Sequence, residues 1–359
     1  MMQIFSKTRT LISQILILSP LLSILTADWP KSFWLPFFCS MLLSLFPLKA
    51  AMKYLPFRIW LVSCILLGIA GTLSAALQNP SISTLPSAIL LGCSACGLFL
   101  LLPPWIAVGR YISASPALGL VWSCSLLLSV PLQLFIQHTA SSGLILGAVM
   151  MISGFIFFSR RAPHIQLLKP PPHDFFSPSM VKVILFFLCL LTSIGVCSGI
   201  LAEKSITTPS SDLLSALALA CGPMLSSCFT EKKGIYSSCI LSIFLTETAL
   251  LLTCSSTSPA VLNAGRAVLS LSAGTTIVIL PILAFYLCGR TGYMHGFAPL
   301  GLCIPVSLLF SWPLRNMTVS GELLQQDTAA FLLFLLISSF LCIFFAWKRR
   351  FIILKNKRI

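Results

Sequence analysis

Leu118–Pro131 reads LGLVWSCSLLLSVP, and Leu300–Pro313 reads LGLCIPVSLLFSWP. Both fit LGL-x4-SLL-x-S-x-P, 182 positions apart in a chain of 359 residues. A Gly-Arg pair stands upstream of each copy, Gly109-Arg110 and Gly289-Arg290, 180 positions apart. Leu and Ser are abundant here, so single matches carry little, but equal internal spacing carries more. An offset of half the chain points to a duplicated protein. Repeated sets of membrane helices are a construction principle of secondary transporters, with the substrate site where the repeats meet.

Composition fixes the solvent. Hydrophobic residues make up 57% of the chain and charged residues 9%, with a mean hydropathy of +0.99. A soluble domain carries roughly 25% charge. The apolar runs are long and continuous, whereas a barrel needs alternating strands of ~10 residues. The expected class is an all-α polytopic membrane protein partnered by the lipid bilayer. The net charge of +15 does not imply nucleic acid, because the basic residues lie in short loops and at the C-terminus rather than in a patch of their own.

Twelve spans follow from windows of about 20 mostly apolar residues: 11–27, 33–48, 59–77, 85–108, 112–136, 142–159, 181–201, 213–230, 235–256, 260–288, 293–313 and 329–347. The first begins after Lys7 and Arg9, as a signal peptide does, but is longer than a ~7–15-residue h-region and is read as an uncleaved helix. With the N-terminus inside, nineteen of the 23 Lys and Arg fall in inner segments. Only Lys31, Lys204 and Arg315 fall outside, and Arg266 falls within a span. This positive-inside bias places both termini in the cytoplasm and favours an inner (plasma) membrane.

The longest inner loop holds Pro170–Pro172 and divides the spans six and six. Six is even, so the repeats are parallel. The expected domains are a helical half at 1–159, a cytoplasmic linker at 160–180, a second half at 181–348 and a basic tail at 349–359.

Twelve spans as six plus six, a long central inner loop, and Gly-Arg elements after spans four and ten resemble the major facilitator superfamily. The resemblance implies a secondary transporter moving a small solute by alternating access between the halves. The family's loop signature falls here on two inner segments. Pro47–Tyr54 (PLKAAMKY) keeps Lys49 and Lys53 but lacks the Asp and the Gly; Thr230–Gly234 keeps Glu231, Lys232, Lys233 and Gly234. These six residues are the expected cytoplasmic gate loops.

Of eight acids, Glu247 alone lies well inside a span. Such a carboxylate costs ~2.5–3.5 kcal/mol on insertion scales unless paired, protonated or beside water, and intramembrane ionisable residues are functional candidates by default. Arg266 is the natural partner on depth, about 5 Å apart at ~1.5 Å per residue. The bland alternative is a snorkelling Arg266 and a neutral, hydrogen-bonded Glu247. The pair is the expected substrate or ion pathway. One deep acid is compatible with proton symport, uniport or exchange of a small, neutral or weakly charged solute.

Other chemistry has little to stand on. The fourteen Cys are scattered through apolar runs, and the C-x-x-C at Cys93 and Cys96 lies within a span without a second pair, so helix packing is its reading. The four His show no metal spacing, and no phosphate-binding glycine motif follows a strand. No enzyme, metal or cofactor is expected. The alternative function is a non-transporting scaffold or assembly factor on a degenerate carrier fold, favoured by the missing first-half Asp.

Overall fold

The computed structural model describes residues 2–26, 31–51, 57–77, 84–107, 114–159, 178–204, 209–255, 258–319 and 325–355. Twelve helices account for nearly all of them, and the described residues contain no strand. They are α1 (Met2–Thr26), α2 (Lys31–Ala51), α3 (Phe57–Leu77), α4 (Leu85–Ala107), α5 (Ala114–His138), α6 (Ala140–Ser159), α7 (Pro178–Lys204), α8 (Pro209–Lys233), α9 (Ile235–Ser255), α10 (Pro259–Gly301), α11 (Cys303–Val319) and α12 (Gln325–Lys355). Six described stretches, in α3, α5, α7, α8, α9 and α10, are long and apolar enough to cross a bilayer, and five shorter apolar helices accompany them. Large apolar side chains such as Leu77, Phe244, Phe334 and Leu251 stand exposed, as lipid-facing residues must. The chain is an integral, multi-pass α-helical membrane protein.

The helix boundaries have local causes. Proline opens α7, α8 and α10 at Pro178, Pro209 and Pro259, where its missing N–H is no loss. Gly234 separates α8 from α9 with φ +88°, and its N–H bonds the Thr230 carbonyl at 3.0 Å. That is the left-handed glycine stop, and it turns the chain within one residue.

The chain divides into two compact units, Met1–Lys169 and Pro170–Ile359. In the first, α4 packs on α2 and α3, α1 on α5 and α6, and α3 on α6. In the second, α10 packs on α8 and α9, α7 on α11 and α12, and α9 on α12. These five pairings of the first unit become the five of the second when six is added to the helix numbers.

The repeat in the sequence reappears atom by atom. Ser129 Oγ donates to the Leu126 carbonyl at 2.7 Å, and Ser311 Oγ to the Leu308 carbonyl at 3.0 Å. Both residues of each pair stand 182 positions apart. The Ser129 carbonyl accepts from Ser23 of α1 at 3.2 Å. A methyl on Gly195 of α7 would lie 2.6 Å from Ser311 Oγ. The repeated serine therefore marks the α5–α1 contact in one unit and the α11–α7 contact in the other.

A second contact keeps the same offset. Gly92 of α4 presses on Ser40 and the Phe37 carbonyl of α2; Gly274 of α10 presses on Gly222 and the Leu219 carbonyl of α8. Adding 182 to 92, 40 and 37 gives 274, 222 and 219. In both units the fourth helix rests backbone to backbone on the second, which only a residue without Cβ permits.

One boundary departs from the sequence reading. Spans 260–288 and 293–313 were expected with a loop between them at Gly289-Arg290. Instead α10 runs unbroken from Pro259 to Gly301, 43 residues, which at ~1.5 Å per residue is about twice the bilayer's hydrocarbon thickness. Hydropathy detects the end of an apolar run, not the end of a helix. The break comes at Leu302 because Pro305 has no N–H for the Gly301 carbonyl; the next ladder bond, Val306 N–H to the Leu302 carbonyl, is present at 3.2 Å. Likewise α12 continues through Lys348–Arg350 to Lys355, so the expected tail at 349–359 begins as helix.

Candidate functional site

Glu247 lies in the middle of α9 and is half-buried. On its helix it is flanked on one side by Ile243 and Leu250, both buried, and on the other by Phe244 and Leu251, each 61% exposed. The carboxylate thus stands at the edge between the packed and lipid-facing sides of α9. It makes no hydrogen bond or ion pair with any described residue.

Arg266 does not pair with Glu247. Its Nη1 lies 2.7 Å from Asp212 Oδ1 of α8. The contact is electrostatic, since Nη1 lacks hydrogen-bond geometry to any acceptor. The sequence reading compared depths on α9 and α10, which are neighbours in the chain. The structure joins α10 to α8, and α8 begins at Pro209 rather than 213, which puts Asp212 in its first turn. The bland alternative for Arg266 is also incomplete: its side chain is 29% exposed and Nη1 is buried.

Two more polar residues stand beside the pair. Ser215 follows Asp212 by three positions on α8, and Asn263 precedes Arg266 by three on α10, so each shares a face with its charged neighbour. Ser215 Oγ and Asn263 Oδ1 are buried and have no hydrogen-bond partner. Sequence reasoning passed over both, although Asn263 at i−3 from an intramembrane Arg was a usable signal.

Below this cluster α9 and α10 share a seam of hydroxyls that the sequence reading also missed. Ser242, Thr246, Ser272 and Thr276 are all fully buried. Ser272 Oγ donates to the Ser242 carbonyl at 2.9 Å and meets Thr246 Oγ1 at 2.7 Å; Ser242 and Thr276 bond through their hydroxyls. The signal was a Ser-x3-Thr spacing on each helix, 242/246 and 272/276. In the first unit Ser94 Oγ reaches the Cys64 carbonyl at 2.8 Å, across the same separation of 30 residues.

The expected gate residues scatter. Glu231, Lys232 and Lys233 are exposed in the last turn of α8, and Gly234 is its cap. Lys49 lies in α2, its side chain outside the described residues, as is all of Lys53. Among the described residues no group of His, Cys, Asp or Glu could hold a metal ion.

No family profile matches the chain, and no curated protein matches it. Solved structures do. An outward-conformation major facilitator superfamily transporter, FucP, superposes with a TM-score of 0.71 at 12% identity, covering 95% of this chain and 98% of that one. A point variant of the E. coli fucose:proton symporter FucP gives 0.64 at 12%, covering 94% and 97%. The fold is that of the major facilitator superfamily.

Proposed function

We propose that this chain, a membrane protein with the major facilitator fold, is a secondary transporter that moves a small solute by alternating access between its two helical halves. The observation that carries the reading is the length of the fold likeness, which spans nearly all of both chains. In this reading the twelve helices are twelve spans of the inner (plasma) membrane with both termini cytoplasmic. The halves are 1–159 and 181–348, the linker 160–180 and the basic tail 349–359. Catalysis, cofactors and nucleic acid have no part in it.

Glu247 is the coupling group. Of the eight acids it alone lies well inside an expected span, and intramembrane ionisable residues are functional candidates by default. A neighbour in fold is a fucose:proton symporter, which makes the proton the first coupling ion to test. Arg266 is a polar element of the pathway. Lys49, Lys53 and Glu231–Gly234 form the cytoplasmic gate loops.

The test is uptake into proteoliposomes from a mixed metabolite pool, read by mass spectrometry, for wild type and Glu247→Gln, with and without a pH gradient. Gradient-driven accumulation by wild type alone supports both the carrier and the coupling role. Equal accumulation by both keeps the carrier and removes Glu247. Pro47–Tyr54, without the family's Asp and Gly, favours a second reading as a non-transporting scaffold. Absence of any uptake, with thiol reagents failing to reach cysteines placed in α1, α4, α7 and α10, would establish it.

A further inference from the structure

We infer that Asp212, Ser215, Asn263 and Arg266 form a binding site for a zwitterionic, amino-acid-like solute at the end of the second unit where α8 and α10 begin. The inference rests on the transport reading only in taking that ligand to be a solute on its way through.

The duplication supplies the argument. Because the α4–α2 and α10–α8 contacts match residue by residue at an offset of 182, the first unit shows what this pairing of helices needs. At the positions matching Asp212 and Arg266 it has Pro30 and Thr84, neither of which ionises. The ion pair is therefore not part of what the two repeats share. At the position matching Ser215 it has Phe33, fully buried. The second unit replaces that ring with a hydroxymethyl group that is 8% exposed and whose oxygen has no partner.

Helix lengths agree. The first residue of α4 is Leu85, which matches 267, yet α10 begins at Pro259. The second unit thus adds eight residues of helix, about 12 Å, and Asn263 and Arg266 stand on that addition. The pair lies eight to ten residues, roughly 12–15 Å, from the Gly222–Gly274 contact.

The chemistry names the ligand class. A guanidinium has five N–H donors, and Asp212 faces only Nη1 of Arg266. Asp212 is 50% exposed and engages Oδ1 alone, so its second oxygen is open to a donor. A carboxylate on Arg266 and an ammonium on Asp212 complement the pair without adding net charge, and Ser215 Oγ and Asn263 Oδ1 are placed to take the remaining polar atoms. A simple anion would be repelled by Asp212 and a simple cation by Arg266.

The experiment uses the purified full-length chain in detergent, with thermal unfolding read by tryptophan fluorescence. The probes are the twenty proteinogenic L-amino acids at millimolar concentration, then the best of them as its amide and as its N-acetyl derivative. We expect at least one amino acid to raise the unfolding temperature, with at least roughly tenfold weaker half-maximal effect for either derivative. Asp212→Asn and Arg266→Thr should each abolish the rise, Thr being the residue the first unit carries there. The exchange Asp212→Arg with Arg266→Asp controls for folding. A rise given by no amino acid, one equalled by the N-acetyl derivative, or one surviving in both single variants overturns the site. Uptake separates this from the transport reading: flux of another solute with no amino-acid binding removes the site alone, and binding without flux of anything removes transport alone.

Discussion

Gly222→Ala is the sharpest test of the packing. A methyl on Gly222 would lie 2.6 Å from the Leu271 carbonyl oxygen, 2.7 Å from the Gly274 carbonyl carbon and 2.7 Å from the Thr275 nitrogen. All three are backbone atoms of α10, so no rotamer change relieves them. Carbon contacts are comfortable at roughly 3.5–4.0 Å, so the helices must part by about 1 Å, and such a gap forfeits a quarter to a half of the dispersion attraction of the facing atoms. Overpacking of this kind costs about 1–3 kcal/mol. Taking the middle of that range, about 2 kcal/mol, and a return of up to about 1 kcal/mol from alanine's helix propensity leaves a loss of roughly 1–2 kcal/mol. In a unit of this size that lowers the unfolding temperature by roughly 2–8 °C, measured in detergent by tryptophan fluorescence. Gly265→Ala is the control: its methyl would meet nothing closer than Leu252 Cβ at 3.4 Å, so it should leave the temperature unchanged or raise it. A Gly222→Ala protein that melts at or above wild type, or two variants that fall equally, would refute the backbone contact. The double variant Gly222→Ala/Gly274→Ala should fall by less than the two single losses together, because one separation accommodates both methyls.

Gly234→Ala should lower stability by about 1 kcal/mol, read by the same melt; no atom lies within 4 Å of its added methyl, so the loss is purely that of holding alanine at positive φ. Ser272→Ala should cost roughly 0.5–1.5 kcal/mol, near the average for interhelical hydroxyl bonds in membranes, and a loss well beyond that would mean the seam holds α9 to α10 by itself. Glu247→Gln should abolish accumulation driven by a pH gradient while leaving solute exchange at zero gradient intact, measured by isotope flux; loss of both would assign Glu247 to folding or binding instead of coupling.

Much of the architecture was readable from residue patterns. The fourteen-residue repeat located equivalent points of two units, and Ser129 and Ser311 make the same bond there. Hydropathy found the helices, since lipid demands continuous apolar runs. It could not find where α10 stops, because a helix that leaves the apolar layer keeps its backbone bonds. Glu247 was visible as a rare charge in a span. The Asp212–Arg266 pair was not, because the partner sits at a helix start that hydropathy assigns to a loop, and the packing of α8 on α10 skips a helix in the chain. The contact between Gly222 and Gly274 was hidden for a related reason: many glycines read alike, and only the three-dimensional crossing shows which two touch.

The hydroxyl seam bears on how this chain enters the membrane. Thr246 Oγ1 also donates to the Ser242 carbonyl of its own helix at 2.9 Å, and Thr276 Oγ1 to the Ser272 carbonyl at 2.8 Å. Each helix therefore carries threonine hydroxyls that are satisfied internally. A newly made α9 can leave the insertion machinery for lipid before α10 exists, without an orphaned threonine donor to hold it back. The seam closes by adding the Ser272 bond to the Ser242 carbonyl to bonds that each helix already holds, so the threonines do not oblige the two helices to be delivered as a pair.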